Sequence, residues 1–138
     1  MLKIVHEGQL VNNYKSDALL TAGQLVKITA EGKIAAAGAG EDVFGIVAQD
    51  VVDPTVNNFK LNSVTHDAGV SVDQVGVYTN GGVYKTDQFL GTVTAGAKLY
   101  AGAGGKLTAT ASGNAVAVSE SAATAGAGVV IRFKSLIG

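Results

Sequence analysis

The chain of 138 residues has no cysteine, no tryptophan and one proline. Each absence removes a class of answer. Without cysteine there are no disulfides, no thiolate nucleophile and no cysteine-based zinc site. Without tryptophan and with aromatics at 6%, the stacking platforms that carbohydrate-cleaving sites use are scarce, and a core must be built from small side chains. Charge is also low. Asp, Glu, Lys and Arg make up 15%, against roughly a quarter in ordinary soluble domains, and the formal net charge is -1. No basic excess is present to displace counterions from phosphates, and Arg132 is the single arginine, so nucleic acid is not an expected partner. No stretch approaches the roughly 20 apolar residues of a membrane-spanning helix, and Met1 to Glu7 lacks the pattern of a secretory signal. The expectation is synthesis in the cytoplasm without classical export, with no membrane partner.

What the chain has is glycine, 19 of them, alanine, and short β-branched runs. Mean hydropathy is +0.30, which suits a surface partly covered in an assembly. The length fits one domain. Runs such as Gln24 to Thr29, Val43 to Ala48, Val75 to Tyr78, Val83 to Lys85, Lys98 to Ala101, Ala115 to Val118 and Val129 to Phe133 have the length of strands, not of helices. Alternation supports this. In Val129-Val130-Ile131-Arg132-Phe133 the odd positions form an apolar face and Arg132 points away. Glu31-Gly32, Asn80-Gly81-Gly82 and Ala103-Gly104-Gly105 predict tight hairpin turns, because Gly and Asn tolerate positive φ. The best helical candidate, Ser16 to Leu20, is short.

Two triplets recur at one spacing. Thr21-Ala22-Gly23 returns as Thr94-Ala95-Gly96, and Gly32-Lys33-Ile34 returns as Gly105-Lys106-Leu107, the second pair at the same offset as the first. A duplicated hairpin unit and coincidence in a Gly/Ala-rich chain are both compatible with this; two copies are too few for a solenoid. The expected fold is all-β: a small antiparallel barrel or sandwich built from hairpins. Residues 1–18 form an N-terminal arm or edge strand, residues 19–138 a single β-rich domain, and residues 50–73 a long loop or insertion.

Candidate chemistry is sparse. His66-Asp67 with Ser63 or Ser71 is the nearest approach to a general-base pair, and no Gly-x-Ser-x-Gly elbow accompanies it. Glu41-Asp42 and Asp50/Asp53 are paired carboxylates that read as solvated loops. Gly104-Gly105-Lys106 lacks the hydroxyl residue and the first glycine of a phosphate loop; Gly38-Ala39-Gly40 has Val43 at the third glycine position of a dinucleotide fingerprint. No catalytic residue, metal ligand or cofactor site is assigned, and the chain is expected not to be an enzyme. The candidate functional residues are interface residues: Leu2, Ile4, Val5, Leu10 and Tyr14 in the compositionally distinct N-terminal segment, and Tyr78 and Tyr84, which flank Asn80-Gly81 as a cross-strand pair or interface anchors.

The order Thr-Ala-Gly, strand, Gly-Lys hairpin, Gly45-Ile46-Val47-Ala48, then Val75-Gly76-Val77-Tyr78-Thr79-Asn80-Gly81-Gly82-Val83-Tyr84 resembles capsid cement or head decoration proteins of tailed bacteriophages. Thr94 to Tyr100, Gly105 to Thr108 and Val129 to Phe133 extend the resemblance, which runs from about Leu19 to Phe133 but leaves the N-terminal segment and most of 50–73 unaligned. It implies a virion protein on the capsid surface that stabilises the shell by bridging major capsid proteins, as a homo-oligomer, a trimer in preference to a dimer. The alternative is a receptor- or glycan-binding β-module of a tail fibre, or another virion component such as a tail tube or head fibre.

Overall fold

The computed structural model describes residues 1–52 and 70–138. His66, Asp67, Ser63, Asp53 and Pro54, and most of the expected 50–73 loop, lie outside the described residues. Among the described residues fourteen strands follow one another: Leu2–His6 (β1), Gln9–Ser16 (β2), Leu25–Ala30 (β3), Lys33–Ala36 (β4), Gly45–Val47 (β5), Val75–Asn80 (β6), Val83–Thr86 (β7), Phe89–Leu90 (β8), Thr92–Val93 (β9), Lys98–Ala101 (β10), Leu107–Thr108 (β11), Ala117–Ser119 (β12), Ala123–Thr124 (β13) and Ile131–Ser135 (β14). A single 3-10 turn at Ala103–Gly105 is the only helical element among the described residues. Ser16 to Leu20 is not helical. The Ser16 hydroxyl donates to the Ala18 carbonyl at 2.6 Å and accepts from the Ala18 N–H at 3.2 Å, a local turn that competes with helix formation.

The fold is all-β, as the alternation and the glycine punctuation require. Strands β2-β4-β3-β5-β6 close into a five-stranded barrel. A second sheet runs β1-β7-β14-β12-β10-β11-β8. Its last strand, β8, and the strand next to its other end, β7, belong to one stretch of chain, separated only by Asp87 and Gln88. The sheet therefore curls back on itself, and β8 joins β11 in parallel. Thr86, fully buried at that bend, is satisfied by donating to the Met1 carbonyl at 2.8 Å and accepting from the Gln88 N–H at 3.0 Å.

The recurrence of the triplets is structural. The parallel contact that closes the first barrel pairs Ser16 with Ile34, and its counterpart in the second sheet pairs Phe89 with Leu107. Leu25↔Ile46 and Val26↔Gly45 return as Lys98↔Val118 and Leu99↔Ala117. Ile46↔Tyr78 and Val47↔Val77 return as Val118↔Lys134 and Ser119↔Phe133. Even the turn bonds repeat: Gln24 N–H to Thr21 O at 3.0 Å matches Ala97 N–H to Thr94 O at 3.1 Å. Gly23 and Gly96, at φ 95° and 84°, hold these turns in a region that L side chains avoid. The two halves are copies of one unit. They differ chiefly in the link from β5 to β6, which is much longer than that from β12 to β14.

Burial explains which strands alternate. In β14, Ile131, Phe133 and Ser135 are buried while Arg132 and Lys134 are exposed, so one face meets the core and one meets solvent. In β3, β5 and β6 consecutive apolar residues are buried on both faces. Val26, Val47 and Val77 join Leu20, Ile34, Val51 and Val75 inside the first barrel. Leu25, Ile46 and Tyr78 join the core of the second unit with Leu99, Leu107, Ile131 and Phe133. These three strands are a wall shared by two cores, which is why they read as continuous apolar runs.

Candidate interaction surface

The N-terminal segment is a paired part of the fold and not a loose arm, and β1 is the edge strand of the second sheet. β1 pairs antiparallel with β7, and β2 with β6. Pairs on both sides of the bend share one count, Leu2↔Thr86, Ile4↔Tyr84, Leu10↔Tyr78 and Val11↔Val77, and the pairs between and beyond them, His6↔Val83, Gln9↔Asn80 and Tyr14↔Val75, are displaced by a single residue. The two ladders are thus a single ribbon of two long strands, 2–16 against 75–86. Asn80-Gly81-Gly82 therefore does not reverse the chain, contrary to the hairpin expected from its composition. β6 and β7 run on in one direction, and the glycines, at φ 64° and 101° for Gly81 and Gly82, bend the ribbon where it passes from the barrel to the second sheet. Turn-forming residues specify a kink; the hydrogen-bonding partner decides whether the kink becomes a hairpin, and here the partner is the distant segment 2–16.

The bend is tightly built. Gly8 lies opposite it, and a Cβ there would collide with the Asn80 and Gly81 carbonyl oxygens and sit 2.6 Å from the Tyr84 hydroxyl. That hydroxyl accepts from the Gly8 N–H at 3.1 Å and donates to the Gly81 carbonyl at 3.0 Å. Tyr78 packs beside it with ring centroids 5.0 Å apart, and Tyr84 reaches Phe133 at 5.7 Å. The Tyr78 hydroxyl donates to the Glu7 carboxylate at 3.3 Å. Burial, reinforced by the Glu7 charge, pushes the Tyr78 phenol up to about 12. Burial raises Tyr84 as well, against the opposing effect of the Gly8 hydrogen bond.

The seven sequence-expected interface residues divide accordingly. Ile4 (51% exposed), Val5 (41%) and Leu10 (37%) are among the most exposed large apolar side chains of the described residues. Leu2 is half-buried against the second core, and Tyr14 is half-buried in an edge-on contact with Phe44 at 5.5 Å. Tyr78 and Tyr84 are corrected: both are buried, at 4% and 0% exposure, and they anchor the ribbon bend instead of offering a surface. Their pairing follows from the kink, not from facing strands of a hairpin, so composition could not assign it.

Among the described residues, no strand pairs with the outer edge of β1 or with that of β2 before Lys15. This edge is broken by register shifts between Ile4 and His6, Gln9 and Leu10, and Val11 and Tyr14, with Asn13 at φ 69°. Bulges of this kind keep a free edge from recruiting strands indiscriminately. The surface is therefore suited to contact by its side chains more than to extension of the ladder.

The other candidate groups serve structure. Gly104 O accepts from Gln24 Nε2 at 2.7 Å, and Gly40 N–H donates to Ala101 O at 3.2 Å, so both glycine loops join the two units. Asp50 caps a turn by accepting from the Ala22 N–H at 2.8 Å. Glu41 pairs with Lys27 and accepts from the Gly38 N–H at 3.0 Å, and the Lys27 hydrogen bond holds its carboxyl below the usual range. Lys27 and Glu41 rim an open depression of about 440 Å³ with Ile28, Asp42, Val43 and Phe44. Among the described residues no cluster of three or more His, Asp or Glu has the geometry of a metal site.

No protein-family model matches the sequence, and no curated protein is significantly similar to it. The fold is similar to that of the N base of the head fiber protein gp8.5 of bacteriophage phi29, with a TM-score of 0.62 at 13% identity over 92% of this chain and 94% of that one. At that identity the likeness is one of fold.

Proposed function

We propose that this protein is a non-enzymatic structural component of a bacteriophage virion, that it sits on the outside of the head, and that the exposed apolar residues of the N-terminal ribbon contact the major capsid protein. The observation that carries this reading is the near full-length likeness to a head-fibre base. Low charge and a thin, small-residue core agree with a protein whose value lies in its surfaces. Binding to the assembled shell and not to free subunits stabilises the shell by mass action. In a homo-oligomer, a trimer in preference to a dimer, each copy need contribute little, because linked sites raise the effective concentration of one another.

Two forms of the proposal differ in outcome. A cement protein raises the thermal resistance of the capsid. A fibre base, the form favoured by the same structural likeness, binds the head and leaves that resistance unchanged. Deleting residues 1–17 is not a clean test, because β2 is a stave of the barrel. Ile4→Glu with Leu10→Glu leaves the ribbon's backbone pairing intact. We expect the wild-type protein to co-sediment with assembled capsids, and the double variant to bind about tenfold more weakly or less, as for loss of an interface hot spot. Equal binding by the variant would exclude the ribbon as the contact. Failure of the wild type to bind any assembled head would exclude the function.

A further inference from the structure

The register of the second sheet gathers half of the chain's cations on one face. Lys3 stands directly opposite Lys85, and Lys85 opposite Arg132. In the next row His6 faces Val83, Val83 faces Lys134, Lys134 faces Val118 and Val118 faces Lys98. Residues opposite one another in a ladder share a face, and Lys85 with Val83, like Arg132 with Lys134, are two apart on one strand. Lys3, Lys85, Lys98, Arg132 and Lys134 are all exposed and belong to this outer face; the chain has ten Lys and Arg in all. Glu120, paired with Arg132 at 2.6 Å, is the one carboxylate bonded to them among the described residues. Like charges directly opposite on neighbouring strands destabilise a sheet. The file Lys3–Lys85–Arg132 is thus a cost to the folded monomer, relieved among the described residues at Arg132 by Glu120 and not at Lys3 or Lys85.

The complementary charge is in the same molecule. Residues 74–138 carry five Lys and Arg against two Asp and Glu, a net charge of +3, whereas residues 1–73 carry five Lys against nine Asp and Glu, a net charge of -4. Lys3 moves a further positive charge onto the second unit by joining its sheet. On the first unit, Lys27–Glu41 and Lys33–Asp17 are the ion pairs among the described residues. Asp42, Asp50 and Asp73 are exposed carboxylates with no such partner there.

We infer that the Lys3–Lys85–Arg132 face of the second unit docks onto the acidic first unit of a second copy. This rests on the proposed homo-oligomer and names its contact. Because the two surfaces are different, the contact is heterologous, and successive copies close into a ring when the rotation permits. Val83 and Val118, half-buried between the cations, supply apolar area at the centre of the patch.

The test is Lys85→Glu, which places a carboxylate between Lys3 and Arg132. Sedimentation of wild type and variant at about 20 and about 500 mM NaCl, where the screening length is roughly 20 and 4 Å, reads the association. The wild type is expected to be oligomeric at low salt and to dissociate at high salt. The variant is expected to be monomeric at both, with a melting temperature above that of the wild-type monomer measured at high salt. A residue with only a structural role would move stability and leave association alone. A variant that stays oligomeric overturns the proposed face and leaves the homo-oligomer standing. A wild type that is monomeric at every salt and concentration overturns both. Salt-sensitive retention of short duplex DNA by wild type but not Lys85→Glu overturns the inference in favour of a phosphate polymer.

Discussion

Tyr78 and Tyr84 show how far a side chain's role depends on where the chain takes it. Both phenols lie inside the molecule, and both keep a hydrogen-bond partner there, Glu7 for Tyr78 and Gly8 with Gly81 for Tyr84. The raised Tyr78 phenol, about 12 in the folded protein against 10.0 for an ordinary tyrosine, couples folding to alkali. Between those values the folded state holds a proton that the unfolded chain has released, so stability falls as pH rises through that window and is fully present below it. In urea titrations across pH 9 to 12 the wild type should lose stability in the upper part of the range. Tyr78→Phe should lose less there, while being weaker below pH 9 by the missing Glu7 hydrogen bond, about 1 kcal/mol. Parallel curves for the two proteins would show that Tyr78 does not titrate in this way.

Among the elements, the bent ribbon matters most. It carries the chain between the two units twice, through Glu7-Gly8 and through Gly81-Gly82, and Ile4, Val5 and Leu10 along it are exposed. Gly8→Ala tests the bend directly. Its φ is not in the left-handed region, so conformational freedom is not the reason for glycine. The reason is space: the new methyl meets two backbone carbonyls that cannot rotate away. We expect a loss of about 1–3 kcal/mol, the usual range for overpacking a rigid site, read by urea denaturation. Gly32→Ala, where nothing lies within 4 Å of the added methyl, meets no such clash and is strained only by its φ of 69°. A Gly8→Ala protein as stable as the wild type would mean that the bend relaxes freely.

At the scale of the molecule, duplication has not produced two independent domains. Leu25, Ile46 and Tyr78 belong to strands of the first barrel, yet they are buried in the core of the second unit. β1 precedes the first unit in sequence and pairs in the sheet of the second. Neither half can be removed without opening the other. Unfolding should therefore be a single transition, with far-UV dichroism and tyrosine fluorescence coincident. Leu25→Ala should lower the stability of the whole by about 2–5 kcal/mol without separating the two probes. Two resolved transitions, one for each unit, would refute the shared wall.

Local order and composition carried most of the architecture. Short β-branched runs between glycines can bury enough surface only as strands, and the alternation in Val129 to Phe133 fixed which face of the last strand turns inward. The equal offset between the paired triplets already held the duplication, since equal strand and turn lengths repeat equal registers. Other features were out of reach because they depend on which distant strand supplies the hydrogen bonds. Asn80-Gly81-Gly82 is locally a turn, and it becomes a kink only because residues 2–16 lie alongside both its flanks. Tyr78 and Tyr84 look like surface aromatics until a second core closes over them. The row of Lys3, Lys85 and Arg132 draws on the start, the middle and the end of the sequence, and only strand pairing places those charges side by side.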